Sequence, residues 1–301
     1  DYKVTGVQTC ALPILATTLR SDGMVQMVWT RRTTSEDGYT LQDLGIAALT
    51  LGGQMTPVQR ELTPLKLSEG SYWGLDVAER EGEVVIAGYH RDISTGGSWL
   101  DLTSVFTMIS ERPDLANSWS GPTVVATDVE IMPSKGDPVS IAIGEEQLHL
   151  LFQSERDDVT GIERLGLLYS HGARDQASWT FLAAAGDNVS RHDLHVLERG
   201  GKDLLVAAWI DEGQSTRLCS AVTDASWNLD EAICTEAPGS TSLSLVPRDH
   251  GVLLLYDEVT VRGPLVRLGL LAHDEGEAYA ISNVLATGRL LGASGPVSDV
   301  L

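Results

Sequence analysis

Apolar residues in this chain come in short blocks separated by polar turns, and the blocks repeat. Five stretches share one shape: an alternating apolar strand, a short polar turn, and a second apolar strand ending on an aromatic residue. They read ILATTLRSDGMVQMVW, GLDVAEREGEVVIAGY, VSIAIGEEQLHLLF, DLHVLERGGKDLLVAAW and LSLVPRDHGVLLLY. The closing aromatics are Trp29, Tyr89, Phe152, Trp209 and Tyr256, spaced 60, 63, 57 and 47 residues apart. In four of the five a Gly stands at or near the end of the turn (Gly23, Gly82, Gly201, Gly251), where a hairpin often needs positive φ. A third strand follows each pair: LGIAAL, LTSVFTMI, RLGLLYS, RLCSAV and RLGLLAH, with RLGLL repeated at 164–168 and 267–271. Shorter fourth strands are read at GPTVVAT, SWTFLA and EAYAIS, the last around Tyr279. No stretch of about a dozen residues keeps a helical period, so the chain reads as all-β with about four strands per unit.

Four-stranded antiparallel sheets recurring at roughly 50–60 residues predict a β-propeller. One such sheet cannot bury both faces alone; stacking neighbours around an axis does so and leaves only short edges. The near-continuous apolar second strands VVIAGY, LHLLF, LLVAAW and VLLLY suit strands covered on both faces. The alternative is a β-sandwich, in which strands alternate more cleanly and no long period is required. The expected organisation is one propeller domain over 15–301, with blades at 15–64, 65–128, 129–186, 187–239 and 240–301. About five blades are visible, and they are expected to be part of a propeller of six blades or more.

Composition narrows the function classes. The chain has 301 residues, 21 Lys+Arg against 42 Asp+Glu, and a net charge of −21. A surface this acidic repels phosphate backbones and anionic lipid, which argues against nucleic-acid and membrane-surface partners. No apolar run approaches the roughly 18 residues of a membrane span. Arg outnumbers Lys heavily, as in GC-rich bacterial genomes.

The eleven residues Val4–Ile14, VTGVQTCALPI, resemble the in-frame translation of a short-read sequencing adapter. Residues 1–14 are therefore set apart as a non-native segment, Cys10 with them. The remaining pair, Cys219 and Cys234, flank a stretch centred on Asp224-Ala225-Ser226. If that centre is a turn, the two cysteines face each other across an antiparallel pair at a separation that suits a disulfide. The bridge would imply an oxidising compartment, hence a secreted, periplasmic or cell-surface protein; the alternative is two buried thiols.

In three units a Trp closes the hairpin between third and fourth strands, preceded by an Asp: Asp114-Leu-Ala-Asn-Ser-Trp119, Asp175-Gln-Ala-Ser-Trp179 and Asp224-Ala-Ser-Trp227. These resemble degenerate forms of the Asp-box, Ser-x-Asp-x-Gly-x-Thr-Trp, of sialidase-like (BNR-repeat) propellers. Asp114 and Trp119 keep the Asp-to-Trp distance of that motif, with Ala116 in place of Gly; the second copy is one residue shorter and the third two. The resemblance implies that these Asp and Trp residues are structural and lie away from the catalytic face. It also implies what a sialidase mechanism would need: a Tyr nucleophile helped by Glu, and three Arg on the substrate carboxylate. Tyr279 beside Glu277 lies in the last unit, where such a nucleophile could fall, yet also fits an ordinary strand; the chain has no Arg-Ile-Pro signature. No Trp is followed by Asp, so the WD signature is absent, and Gly pairs lack kelch spacing.

In a propeller the loops joining second to third strands, and one blade to the next, share a face. Charged residues fall there: Arg32, Arg91, Asp92, Arg156, Asp157, Asp211 and Asp257 at the ends of second strands, and Arg191 and Asp193 between blades. Converging loops of this kind make a concave polar face suited to sugars, although loops are polar simply because they are solvated. His192 and His195 are spaced i, i+3, which on a strand sends them to opposite faces and argues against a shared metal. No metal-ligand spacing and no cofactor motif is present. Three functions stay open: a non-catalytic extracellular propeller that binds a glycan or protein partner, a sialidase-like glycoside hydrolase with a diverged or missing catalytic blade, and a structural repeat of a larger surface protein. Whether the chain is an enzyme is open at this level, with the balance against it.

Overall fold

The computed structural model describes residues 15–34, 40–50, 70–92, 103–115, 118–127, 129, 139–154, 166–174, 178–184, 189–199, 201–227, 232–248, 251–260, 263–273 and 284–289. Among them the regular structure is entirely β. The first sheet has three strands, β1 (Leu15–Leu19), β2 (Met24–Thr34) and β3 (Thr40–Thr50). The second has β4 (Gly70–Arg80), β5 (Glu83–Asp92), β6 (Thr103–Ser110) and β7 (Ser120–Ala126). The third has β8 (Ser140–Ile143), β9 (Gln147–Ser154), β10 (Gly166–Ala173) and β11 (Trp179–Ala183). The fourth has β12 (Val189–Arg199), β13 (Lys202–Asp211), β14 (Arg217–Thr223) and β15 (Ile233–Glu236). The fifth has β16 (Leu243–Arg248), β17 (Gly251–Thr260), β18 (Gly263–His273) and β19 (Val284–Arg289). Every sheet is an antiparallel meander in chain order. The fourth strand of the fifth sheet is β19, downstream of the EAYAIS stretch expected to form it, which lies outside the described residues.

First strands of successive sheets lie against one another: β1 on β4, β4 on β8, β8 on β12, β12 on β16. The sheets therefore stack around an axis lined by their first strands, as the blades of a β-propeller do. The stacking also explains the unbroken apolar second strands. Side chains in β5 alternate between neighbours: Val84 and Ile86 join the core shared with the first sheet, while Val85, Ala87 and Tyr89 join the core shared with the third. In β13, Leu205, Ala207 and Trp209 face the third sheet and Val206, Ala208 and Ile210 the fifth. Both faces of each inner sheet are dry, so the sequence shows no polar alternation.

The aromatic that closes each second strand is buried in sheets two to five. Tyr89 is out of phase with the rest. It faces the following sheet, whereas Phe152, Trp209 and Tyr256 face the preceding one. It keeps the phase of Val85 and Ala87 along β5, and a bulge in β4 lies opposite, between Trp73 and Asp76. Its hydroxyl reaches the third sheet, donating to the Gln153 carbonyl (3.2 Å) and accepting from the Gln153 amide (2.9 Å).

Turn glycines serve two purposes. Gly23, Gly82 and Gly201 have φ of +80°, +89° and +71° with open space where a Cβ would stand, so backbone conformation alone selects glycine. Gly144, in the third sheet's turn, is there for proximity: a Cβ would come within 1.9 Å of Asp203 Oδ2. Asp203 of the fourth sheet accepts from the Glu145 amide (2.9 Å) and faces His149 Nε2 (3.3 Å), whose Nδ1 meets Tyr169 Oη at 2.7 Å. Burial pushes the Asp203 carboxyl up, but the His149 and Glu145 bonds hold it below the usual carboxylate range.

Cys219 and Cys234 are opposite residues in β14 and β15 and form a disulfide. The bridge fastens an outer strand whose four residues are all exposed and bury no side chain of their own. With a sequence separation of 15, replacing both cysteines by Ser is expected to lower the unfolding free energy by about 3 kcal/mol, measured by denaturant titration. An unchanged midpoint would show that the bridge constrains nothing.

Candidate functional site

The first strand of each sheet carries backbone N–H and C=O groups on its axial side with no further strand to pair them. Side chains from the preceding sheet satisfy several of these groups. Asp76 on β4 accepts from the Ile141 amide of β8 through Oδ2 (2.8 Å). The Ser140 hydroxyl on β8 donates to the His192 carbonyl of β12 (3.2 Å). Asp193 on β12 accepts from the Leu245 amide of β16 through Oδ2 (2.7 Å), and from its own neighbour Leu194 through Oδ1 (2.8 Å). The three anchoring residues occupy corresponding places: Ser140 lies opposite Leu151, Asp193 opposite Ala208, and Asp76 opposite Ala87, each just short of the closing aromatic.

Two of these three are carboxyls, set in packed surroundings. Burial foremost, and then the charge of Asp193, raise Asp76 to about 7 against the Ile141 and Val77 amides. Burial raises Asp193 to about 6, opposed by Leu245, Leu194 and Ser244. No cation figures among the causes in either case. Asp76 and Asp193 come from sheets two and four, separated only by β8, which is four residues long between two eleven-residue strands. At their other ends the same long strands are tied by Arg80 and Glu198 (2.8 Å). His192 and Asp193 face opposite ways. His192 meets Ser140 Oγ at 2.8 Å through Nδ1, its Nε2 is enclosed with no hydrogen-bond partner, and burial with the nearby Arg191 charge lowers it to about 3. His195 is lowered to about 4 by burial, so both imidazoles are neutral at ordinary pH. Among the described residues no cluster of His, Cys, Asp and Glu is arranged to hold a metal.

The described loop-face residues have separate roles. Asp193 belongs to the axial pair. Asp257 is buried and holds the loop before β16, accepting from the Thr241 amide, the Thr241 hydroxyl and the Ser242 amide, each at 2.7 Å. Asp211 closes its own turn, bonding the Gly213 amide (3.0 Å) and Arg217. Arg191 is exposed and its Nε donates to the Thr241 carbonyl (3.0 Å). Arg91 is buried at the end of β5, next to Asp92, the last residue of that strand. Arg32 lies in β2 opposite Gln42. Arg156, Asp157, Asp175, Glu277 and Tyr279 lie outside the described residues.

The three Asp-and-Trp hairpins pack in one direction. Trp119, Trp179 and Trp227 each join the core shared with the preceding sheet. Of the two described Asp residues, Asp224 holds its own turn, accepting from the Ser226 amide (2.9 Å) and hydroxyl, and Trp227, at φ 50°, stacks on Tyr169 (4.4 Å between ring centres). Asp114 instead pairs with Arg20 of the first sheet (2.8 Å). Asp76 was missed in the sequence because GLDVAER reads as an ordinary strand. The available signal was a carboxyl in mid-strand, at the place that Asp193 holds in its own unit.

No family model and no curated protein matches this chain. Solved structures do. The GH93 α-L-arabinofuranosidase of Fusarium graminearum superposes with a TM-score of 0.55 at 13% identity, over 85% of this chain and 77% of that one. The α-L-arabinanase of Penicillium chrysogenum gives 0.54 at 15%, over 88% and 79%. The Trypanosoma rangeli sialidase gives 0.52 at 13%, over 88% of this chain and 49% of that one, so the chain spans about half the sialidase's length. The chain has the fold of these glycoside-hydrolase propellers.

Both axial carboxyls titrate higher in the fold than their ordinary value of 3.8. The fold thus holds protons that the unfolded chain releases. Their contribution to stability is complete below about pH 4 and is lost as pH rises through about 6 to 7. Asn at position 76 keeps an acceptor for Ile141 and has no charge to bury. Asp76→Asn is therefore expected to melt above the parent at pH 8 and to lose that advantage by pH 4, read by calorimetry. A difference independent of pH would overturn the assignment.

Proposed function

We propose that this propeller is a glycoside hydrolase acting on a neutral glycan, with Asp76 and Asp193 as its acid–base pair. The observation that carries the reading is the pair itself: two carboxyls from corresponding positions of alternate sheets, half-buried beside the axis, with proton affinities raised by their surroundings. Asp76, the weaker acid, enters protonated and gives its proton to the glycosidic oxygen as the bond to the anomeric carbon breaks. Asp193, which more hydrogen-bond donors hold ionised, takes the proton of the water that forms the new bond. The shared fold of two arabinan-cleaving enzymes and a sialidase supports the reaction class.

The substrate class follows from charge. The charge of Asp193 already raises Asp76 with no cation to offset it, so a sugar carboxylate would bring a third negative group into the same site. This reading favours neutral glycans over sialosides. The disulfide, with a glycan as substrate, supports a protein that works outside the cytoplasm, in the periplasm, at the cell surface or secreted.

A panel of chromogenic glycosides, with α-L-arabinofuranosides and neutral oligosaccharides on one side and sialosides on the other, tests it. Turnover of a neutral member is expected, with Asp76→Asn and Asp193→Asn each lowering kcat/KM by at least about 100-fold. A second reading rests on the backbone bonds that both carboxyls make to the next sheet: the same face binds a glycan without cleaving it. Saturable binding with no turnover across the panel would support that reading and reject the hydrolase.

A further inference from the structure

We infer that a second saccharide-binding site, distinct from the axial carboxyls, lies in the cleft between the hairpin ends of the second and third sheets, and that it takes a neutral sugar. The site stands at the opposite end of the sheets from the loop face. Glu83 begins β5, directly after the turn from β4, and Ile109 pairs with Val85 and with Ser120 at the start of β7. Arg174 follows β10 at the corresponding end of the third sheet. Together with Ser110 and Arg112 these residues line a cavity of about 530 Å³, within the range of sites that hold small ligands.

The lining is built for hydroxyl groups. Arg174 is fixed on three sides: its amide donates to the Glu146 carbonyl (3.3 Å), Nη1 reaches the Glu145 carbonyl (3.4 Å), and Nη2 pairs with Glu83 Oε1 (3.1 Å). Its Nε is enclosed and has no hydrogen-bond partner. The guanidinium is thus held in place at the cavity wall, and Nη1 and Nη2 each keep a further N–H for a ligand oxygen. The Ser118 hydroxyl is engaged by the Arg112 and Leu115 carbonyls and by Ser110, whereas Ser120, exposed, donates to the Ile109 carbonyl and keeps oxygen lone pairs for ligand hydroxyls to donate into. Ile109, partly buried, adds an apolar element to the lining.

Charge selects within that chemistry. Arg112 and Arg174 are balanced in the cavity wall by Glu83 and Glu111, so the cavity carries no net charge. The chain as a whole carries −21 and disfavours anions at every surface. Fixed donors, fixed acceptors and an apolar element match a neutral polyhydroxylated ligand. A peptide would need a deep apolar anchor pocket, which this lining lacks.

The inference holds whether or not the axial pair is catalytic, and its test separates the two. Binding of neutral arabinotriose, with trigalacturonic acid as the charged control, is followed by NMR titration in the Asp76→Asn background, where turnover does not blur the isotherm. Ser120→Trp fills the cavity from an exposed position, and Arg174→Gln removes the guanidinium donors. Either change is expected to weaken trisaccharide binding at this site about tenfold or more while the melting temperature and the kcat of the otherwise unmodified enzyme on a small chromogenic glycoside stay unchanged. Amide shifts should centre on Ile109–Ser120 and Arg174. Trisaccharide binding that is untouched by both variants, equal binding of the charged control, or no binding by the parent up to about 10 mM overturns the inference. Absence of turnover in the parent with Ser120→Trp-sensitive binding would reject the hydrolase reading alone.

Discussion

The inner edge of each sheet is the constraint on which this arrangement rests. A first strand beside the axis has one side of its backbone facing no further strand, and unpaired N–H and C=O groups in packed surroundings are costly. The chain meets that cost with side chains sent from the sheet before: Asp76 to the Ile141 amide, Ser140 to the His192 carbonyl, Asp193 to the Leu245 amide. Each bond also sets how one sheet sits on the next. Inner-edge bonding and blade-to-blade registration are thus one device, repeated at corresponding positions.

That device has a chemical consequence. A hydroxyl does the job at Ser140 without titrating, whereas Asp76 and Asp193 place ionisable groups where burial raises both and the charge of Asp193 also raises Asp76. Using carboxyls here weakens the fold at neutral pH, and their amide bonds only partly offset the desolvation. The acid–base pair proposed above draws on the same packing that costs this stability.

The two ends of the sheets do different work. At the hairpin end, the box-like Trp residues all lean on the preceding sheet, and Asp114 follows them by pairing with Arg20 in place of its own turn. A short copy of the motif, as at Asp224-Ala-Ser-Trp227, still closes its turn because the Trp takes positive φ and stacks on Tyr169. Motif spacing can drift there because the packing of the Trp, rather than the turn's hydrogen bonds, is the common element. At the loop end, Asp257 holds the 241–242 segment and Asp211 its own turn.

The sequence by itself determined the sheets. Alternation of period two, turn glycines at Gly23, Gly82 and Gly201, and the long repeat that ends on Trp29, Tyr89, Phe152, Trp209 and Tyr256 are local facts, and local backbone sterics and amphipathicity convert them directly into strands and hairpins. The pairing of Cys219 with Cys234 is local in the same sense, being set by one hairpin's register. Tertiary structure alone decided which polar residues share an environment. Asp76 and Asp193 are more than a hundred residues apart, and nothing in either strand's pattern marks one as the other's neighbour. The bulge in β4 between Trp73 and Asp76 is equally invisible to a two-residue period. Proton affinity, enclosure and the cleft lined by Glu83 and Arg174 depend on distances between sheets, which only the stacking of whole blades sets.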